Sequence, residues 1–171
     1  MKVLVDVFQA CDDDTIPAAD IVRNWIVRAA RAAGNPSDVD VSVRIVNAEE
    51  SRALNHEYRG KDKATNVLSF PAGRIEGLPD EVPVQLGDIV VCASVVSDEA
   101  AEQDKTVADH WAHMLVHGTL HLLGHDHQDP DQARAMETLE VQILGSLGYP
   151  DPYWTEDAAA PVMVRTEDGA P

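Results

Sequence analysis

The sequence predicts an α+β fold: a small mixed β-sheet of about four strands packed with about five helices, and a metal site at the end of a core helix. Three observations support this prediction. Short segments alternate apolar with polar residues, longer segments repeat apolar residues at helical spacing, and HGTLHLLGHDH contains four of the chain's 7 histidines. The 171 residues, 44% of them hydrophobic, are enough for one domain with its own core.

The first two strands and the first helix are predicted near the N-terminus. Apolar residues alternate with polar ones at 3–7 and at 39–45, so both segments are predicted to be half-buried strands. Residues 17–33 have apolar positions at helical spacing and stop at Gly34, a residue type that commonly follows a helix end. The predicted order is therefore strand, helix, strand.

A second helix and two further strands are predicted next. Asn47 can cap a helix that runs through Tyr58, and Glu50, three residues after the cap, can complete a reciprocal capping box. The segments TNVLSFP and LGDIVVCAS have the composition of strands, and a loop rich in Gly and Pro separates them.

The C-terminal half is predicted to be helical. From Ser94 onward the pattern is helical, and residues 131–147 form a last amphipathic helix after Pro130. The core helix has an apolar stripe formed by Ala108, Trp111, Ala112, Leu115 and Leu122. We divide the chain into one domain, 1–149, and an acidic tail, 150–171, which lacks periodicity and is expected to be flexible.

The charge distribution favours one anionic substrate over general nucleic-acid binding. The net charge of −17 opposes non-specific phosphate contact, so no DNA partner is expected. Segment 44–74 nevertheless has six basic and four acidic residues, which makes it +2 and leaves −19 for the remainder. Such a patch can hold one anion, although a solvated charged face is its more common meaning. The basic residues are Arg44, Arg52, Arg59, Lys61, Lys63 and Arg74.

The sequence has no segment typical of a membrane span or a secretion signal, so a cytoplasmic protein is expected. No stretch approaches the ~20 apolar residues that a span needs, and MKVLVDVFQACDDD has a short apolar run and no small-residue cleavage site. Cys11 and Cys92 have no CxxC spacing, so neither is predicted to be a metal ligand.

Histidines recur every four residues along the core helix, and one adjacent pair is predicted to bind a metal ion. They are His113, His117, His121 and His125. Adjacent positions of this series are ~6 Å apart and can share an ion, whereas positions two steps apart are ~12 Å apart and cannot, because metal–nitrogen bonds are ~2.1 Å. Gly124 is expected to end the helix in a left-handed turn that brings His127 back towards the last pair. His117, His121 and His127 would then leave the fourth position of a zinc ion open for water.

The neighbouring residues allow alternative interpretations. His125 can face the mouth of the site or solvent, and Asp126 can orient a ligand or, as we favour, accept hydrogen bonds from turn amides. Position 118, where HExxH metalloproteases carry their glutamate base, is a glycine, so the usual proteolytic base is missing. The remaining histidines are predicted to be partly exposed polar residues: His56, His110 and His113.

Three motifs resemble the YbeY family of bacterial metal-dependent endoribonucleases, in the same order over roughly residues 40–147. They are NHEYRGKDKATNVLSFP, LGDIVV and HGTLHLLGHDH. The resemblance implies a small α+β domain with one zinc ion in a cleft, His117, His121 and His127 as the zinc ligands, and a role in activity for Arg59. It also implies single-strand-specific RNA cleavage in 16S rRNA 3′-end maturation and ribosome quality control, with the ribosome or ribosomal proteins as partners.

Two positions depart from the family pattern. His125 stands where the family commonly has tyrosine, and Asn66 stands where it commonly has aspartate. A carboxylate at position 66 is therefore not required in this chain.

The residues and the resemblance both indicate a metal-assisted hydrolase. Zinc lowers the pKa of a bound water towards ~7, so the missing glutamate base is not needed for an attack on an RNA phosphodiester. Arg59 is predicted to bind the scissile phosphate, or alternatively to form a surface ion pair with Glu57 or Asp62. Lys61 and Lys63 either guide the RNA backbone or are ordinary solvated lysines.

Two other functions remain possible from the sequence. A non-catalytic ribosome-associated module would hold a structural zinc, with its fourth position filled, for instance by Asp126. A metal-dependent hydrolase of another substrate would line its cleft with apolar pockets instead of Arg59 and its lysines.

Overall fold

A mixed sheet of four strands forms the centre of the fold in the computed structural model, which describes residues 2–34, 37–73, 77–79 and 81–154. The strands lie in the order β1-β2-β4-β3, with β2 parallel to both β1 and β4 and with β3 antiparallel to β4. The predicted mixed sheet is confirmed. Its strands are β1 (Val3–Gln9), β2 (Val39–Val46), β3 (Val67–Pro71) and β4 (Val84–Cys92).

Five helices pack around the sheet within this described part of the chain, as predicted. They are α1 (Ala19–Ala32), α2 (Ala48–Arg59), α3 (Ala93–Glu102), α4 (Val107–Leu122) and α5 (Pro130–Ser146). The helical pattern after residue 94 is divided into α3 and α4 because Thr106 caps α4, accepting a hydrogen bond from the amide of Asp109. None of the helices in the described ranges is long and apolar enough to cross a membrane.

The capping box predicted for α2 is only half formed. The side chain of Asn47 accepts a hydrogen bond from the amide of Glu50, which confirms the cap. The reciprocal half is wrong, because the carboxylate of Glu50 instead accepts two hydrogen bonds from the guanidinium of Arg44. A bidentate, charge-assisted contact is stronger than a single bond to a neutral amide.

The apolar core places α4 against the sheet. Alternate residues of β2 are buried in the same cluster as Trp25 of α1 and Leu115 of α4. Of the stripe predicted for the core helix, only Ala108 is exposed. On the opposite face of the sheet, Leu54 of α2 packs against a smaller cluster that contains Val90. The buried position of α4 holds its C-terminal end at a defined place beside β3.

Candidate metal centre and cleft

Three imidazoles meet where α4 ends. His117 and His121 lie one turn apart on α4, and Gly124, just beyond the helix, has a φ of +96° in the left-handed region. The amide of His125 then donates to the carbonyl of Leu120 at 3.0 Å, which reverses the chain as predicted for Gly124. This reversal brings His127 back, so that ligand nitrogens of the three predicted histidines lie within 4.8 Å of one another.

The donor set and spacing fit one zinc ion. Nε2 of His117 is 3.0 Å from Nε2 of His121, close to the separation of about 3.4 Å that two ligands have around a tetrahedral ion with bonds of about 2.1 Å. Burial and the neighbouring rings of His117 and His127 lower the pKa of His121. The neutral imidazole, which is the form that binds metal, is therefore favoured. Zinc ligation by these residues stays a prediction.

A second group shares one of these histidines. Glu140 of α5 has a side chain that is 1% exposed, and its Oε1 lies 2.8 Å from Nδ1 of His117. Its Oε2 lies 2.7 Å from Nε2 of His113 and accepts a hydrogen bond of 2.6 Å from the hydroxyl of Tyr153. Ligand atoms of His113, His117 and Glu140 lie within 4.8 Å of one another, so this buried group could also hold a metal ion.

Glu140 is ionised despite its burial. Burial is the largest single influence and acts to raise the pKa of Glu140, but hydrogen bonds from His113, His117 and Tyr153 together outweigh it and lower the pKa to about 2. Burial and the contact with this carboxylate strongly raise the pKa of Tyr153, which therefore keeps its proton. The three groups act as donors to one carboxylate.

The prediction that His110 and His113 are partly exposed is wrong. They are only 3% and 8% exposed, because each ring pairs with a carboxylate from another helix. Nε2 of His110 lies 2.9 Å from Oε1 of Glu99 on α3. Burial nevertheless lowers the pKa of His110 more than Glu99 raises it. The exposed position of His56 is as predicted.

The side-chain amide of Asn66 contacts the same carboxylate of Glu99 as His110 does. The side-chain nitrogen of Asn66 donates to Oε1 of Glu99 at 2.9 Å. An aspartate at this position would place a second carboxylate against Glu99, which is unfavourable between like charges. The departure from the family pattern therefore suits the residues around it.

A cleft of about 720 Å³ opens onto the three imidazoles. Its basic residues are Arg59, Lys61 and Lys63, whereas Asp126 is the one carboxylate among its described lining residues. The other basic residues predicted for the patch are paired or undescribed: Arg44 binds Glu50, Arg52 binds Asp62, and Arg74 lies outside the described residues. Of the predicted patch, the three residues that line the cleft are therefore the ones without a salt bridge in the described chain.

Arg59 ends α2 and is held at the cleft by neutral groups. Its guanidinium donates to the carbonyl of Ser69 at 2.9 Å and to that of Tyr58 at 3.2 Å, and it lies 5.1 Å from the ring centroid of Phe70. It forms no salt bridge within the described ranges, and Asp62 is bound to Arg52 instead. The ion-pair alternative predicted for Arg59 is not formed, so its charge is free to meet an anion.

The turn after α4 resolves one of the alternatives left open by the sequence. Oδ1 of Asp126 accepts a hydrogen bond of 2.7 Å from the amide of His127, as favoured for a turn residue. His125 also lines the cleft. The two residues border the metal centre without belonging to either metal-capable group of the described chain.

Position 118 faces the sheet, where any side chain would press against its neighbours. A Cβ at Gly118 would lie 3.2 Å from Cγ2 of Ile89 and 3.3 Å from Oγ of Ser69. The helix therefore approaches the sheet closely through this residue. A glutamate at this position, as in HExxH proteases, would require Ile89 or Ser69 to shift.

Sequence reasoning missed Glu140 and Tyr153. A signal for Glu140 was present, since it interrupts the apolar stripe that Met136, Ile143 and Leu144 form on α5. Tyr153 falls in the predicted tail, whose described part also contacts the domain through the Nζ of Lys105, which donates to a carbonyl at position 152. Residues 155–171 lie outside the described residues, so a flexible tail stays a prediction.

Comparisons with known proteins agree with the motifs. The family profile described as Endoribonuclease YbeY matches residues 9–148. The Endoribonuclease YbeY of Halorhodospira halophila is 55% identical over 153 residues, which cover 90% of this chain and 98% of that protein. The one of Alcanivorax borkumensis is 52% identical over 150 residues, covering 87% and 85% respectively. A solution structure from Thermotoga maritima has a TM-score of 0.54 at 23% identity, covering 89% of this chain and 100% of that one, a likeness of fold alone.

Proposed function

The chain belongs to the endoribonuclease YbeY family, and we propose that it is a zinc-dependent endoribonuclease that cuts single-stranded RNA in 16S rRNA 3′-end maturation and ribosome quality control. One observation supports the chemistry above all others: three imidazoles converge in a cleft that Arg59, Lys61 and Lys63 also line. A site with this charge suits a phosphodiester better than a peptide.

The histidines would hold the zinc ion through one ring nitrogen each. When bound, the ion would lower the pKa of a water molecule towards about 7, which supplies a nucleophile near neutral pH without a glutamate base. His117, His121 and His127 would supply three protein ligands, the number found in catalytic zinc sites, whereas structural sites usually have four.

Arg59 would bind the phosphate. A guanidinium has five N–H donors, and Arg59 uses two of them on the carbonyls of Tyr58 and Ser69, which leaves three for a substrate. The two carbonyls and the ring of Phe70 hold the side chain at the cleft before any substrate arrives. Negative charge that develops on the phosphate oxygens during attack would meet this preorganised cation.

The small number of free cations limits RNA affinity. Lys61 and Lys63 would contact the RNA backbone beside Arg59, against the repulsion of a chain with a net charge of −17. We therefore propose that a ribosomal partner brings the substrate near the cleft, and that the protein acts in the cytoplasm, where ribosomes assemble. Docking on such a partner raises the local concentration of substrate without further basic residues.

Metal analysis joined to RNA cleavage tests this function. The full chain should bind one zinc ion, cut a fluorescent single-stranded RNA faster than the same sequence in a duplex, lose activity on chelation and regain it with zinc. His56→Ala is the matched control, because His56 is exposed and lines neither the cleft nor a metal-capable group of the described chain. Stoichiometric zinc without RNA cleavage would overturn the nuclease proposal and favour a structural ion.

A further inference from the structure

We propose that Glu140 is a positioning residue that keeps the proton of His117 on Nδ1, so that Nε2 of His117 is the unprotonated nitrogen offered at the metal centre. The inference deepens the proposed function and rests on it only in so far as that nitrogen binds zinc. The chain's own hydrogen bonds carry the tautomer assignment.

The carboxylate of Glu140 divides its two oxygens between two histidines. Oε1 faces Nδ1 of His117 at 2.8 Å, and Oε2 faces Nε2 of His113 at 2.7 Å. An ionised carboxylate only accepts hydrogen bonds, so each ring nitrogen that faces it must carry a hydrogen. A neutral imidazole has a single N–H, and His117 therefore has none left for Nε2.

The unprotonated nitrogen of His117 faces the other ligands. Its Nε2 lies 3.0 Å from Nε2 of His121, and the ring centroids of His117 and His127 are 5.8 Å apart. His117 is thus preset to offer Nε2 at the metal centre.

Two further donors keep the carboxylate from rotating. The hydroxyl of Tyr153 donates to the same Oε2 that faces His113. Nδ1 of His113 is buried and has no hydrogen-bond partner among the described residues, which is the pattern expected when the single proton of that ring lies on Nε2. Oε2 is therefore held by two donors, and Oε1 is left to orient His117.

The same geometry opposes a second metal ion at His113, His117 and Glu140. The three contacts to the carboxylate measure 2.6–2.8 Å, the distances of charge-assisted hydrogen bonds. A cation there would require the removal of the ring protons that make these bonds. An outer carboxylate that orients a ligating imidazole is a frequent arrangement at metal sites, and its loss typically weakens metal binding about 10- to 100-fold.

The tautomer can be read directly in the metal-free protein. Long-range ¹H–¹⁵N spectra of the ¹⁵N-labelled full chain at mildly alkaline pH should show His117 protonated at Nδ1. In Glu140→Gln, the side chain offers one acceptor and one donor in place of two acceptors, so one of the two rings must move its proton. We expect a shift of the His117 proton towards Nε2 and zinc affinity about 10- to 100-fold lower by chelator competition.

Two variants serve as controls. Glu99→Gln alters the carboxylate beside His110, which that ring contacts through Oε1 alone, and should leave the His117 tautomer and the zinc affinity unchanged. Tyr153→Phe removes one donor from Oε2 but leaves Oε1 in place, so the His117 tautomer should persist with a change in zinc affinity of less than about threefold.

The outcomes separate this inference from the proposed function. His117 protonated at Nε2 in the wild-type protein overturns the inference, and this reading does not depend on whether Glu140→Gln folds. Unchanged zinc affinity in a folded Glu140→Gln also overturns it, as does binding of two zinc equivalents. A proton on Nδ1 in a protein that cuts no RNA would support the inference and refute the proposed nuclease.

Discussion

The two halves of α4 carry histidines at similar helical spacing and use them differently. In the N-terminal half, His110 and His113 are buried, and each ring points a nitrogen at a carboxylate. In the C-terminal half, His117 and His121 point nitrogens at each other beside an open cleft. His117 joins the two halves, because its Nδ1 faces Glu140. The comparison teaches that the partner contributed by another element, and not the spacing, decides what each histidine does.

The largest expected difference between the two halves is the loss of bound zinc when a histidine of the candidate metal centre is replaced. His121→Ala and His127→Ala should each lose zinc, with affinity reduced by more than the about 100-fold typical of an outer partner, because two imidazoles are too few to retain the ion. The free energy of unfolding of the metal-free His121→Ala protein should differ little from that of the metal-free wild type. Atomic absorption on the purified variants measures the metal. Retention of zinc by both variants, together with its loss in His113→Ala, would assign the metal to the buried group instead.

A substitution of Arg59 tests whether the cleft beside the C-terminal half of α4 acts on a phosphate. Arg59→Ala should cut single-stranded RNA about 100-fold more slowly, because a preorganised charge at the reacting group is lost. Its zinc content and Tm should stay the same. Arg52→Ala is the matched control on α2, since Arg52 is exposed and paired with Asp62, and it should cleave normally. Normal cleavage by Arg59→Ala would remove this residue from the mechanism.

A substitution in the buried N-terminal half of α4 should lower the stability of the protein. His113→Ala should lower the free energy of unfolding of the metal-free protein by about 2–4 kcal/mol, because it leaves a cavity and removes one donor from the buried carboxylate of Glu140. Zinc affinity should fall less than about tenfold. Denaturant titration with chelator present measures the first quantity. A stability loss for His121→Ala as large as that for His113→Ala would abolish the distinction between the two halves.

The smallest expected effect is the salt dependence of RNA binding at the cleft. Each neutralised phosphate of a single strand contributes about −0.7 to the slope of log affinity against log salt, so Arg59, Lys61 and Lys63 predict a slope of about −2. Affinity should fall about twentyfold between about 50 and 200 mM salt. Fluorescence anisotropy with a labelled RNA measures this slope. A slope steeper than about −4 would mean that the basic surface extends beyond the cleft.

The sequence predicted the parts of the site that depend on local geometry. The four-residue repeat, the left-handed Gly124 and the return of His127 involve residues close along the chain, and all three are present. The contact of His117 with Glu140 spans 23 residues, so no local pattern specifies it. The burial of His110 and His113 was missed for the same reason, because their carboxylates lie on α3 and α5.

The order of synthesis gives the Glu140 contact a further consequence. Glu140 follows His117 by 23 residues, and Tyr153 follows Glu140 by another 13. A chain grows from its N-terminus at about 5–20 residues per second, so roughly 2–7 s separate the synthesis of His117 from that of Tyr153. The three histidines are made before the groups that orient one of them exist. Completion of α5 and of the seven residues up to Tyr153 therefore sets the earliest time at which a newly made chain has its candidate metal centre fully ordered.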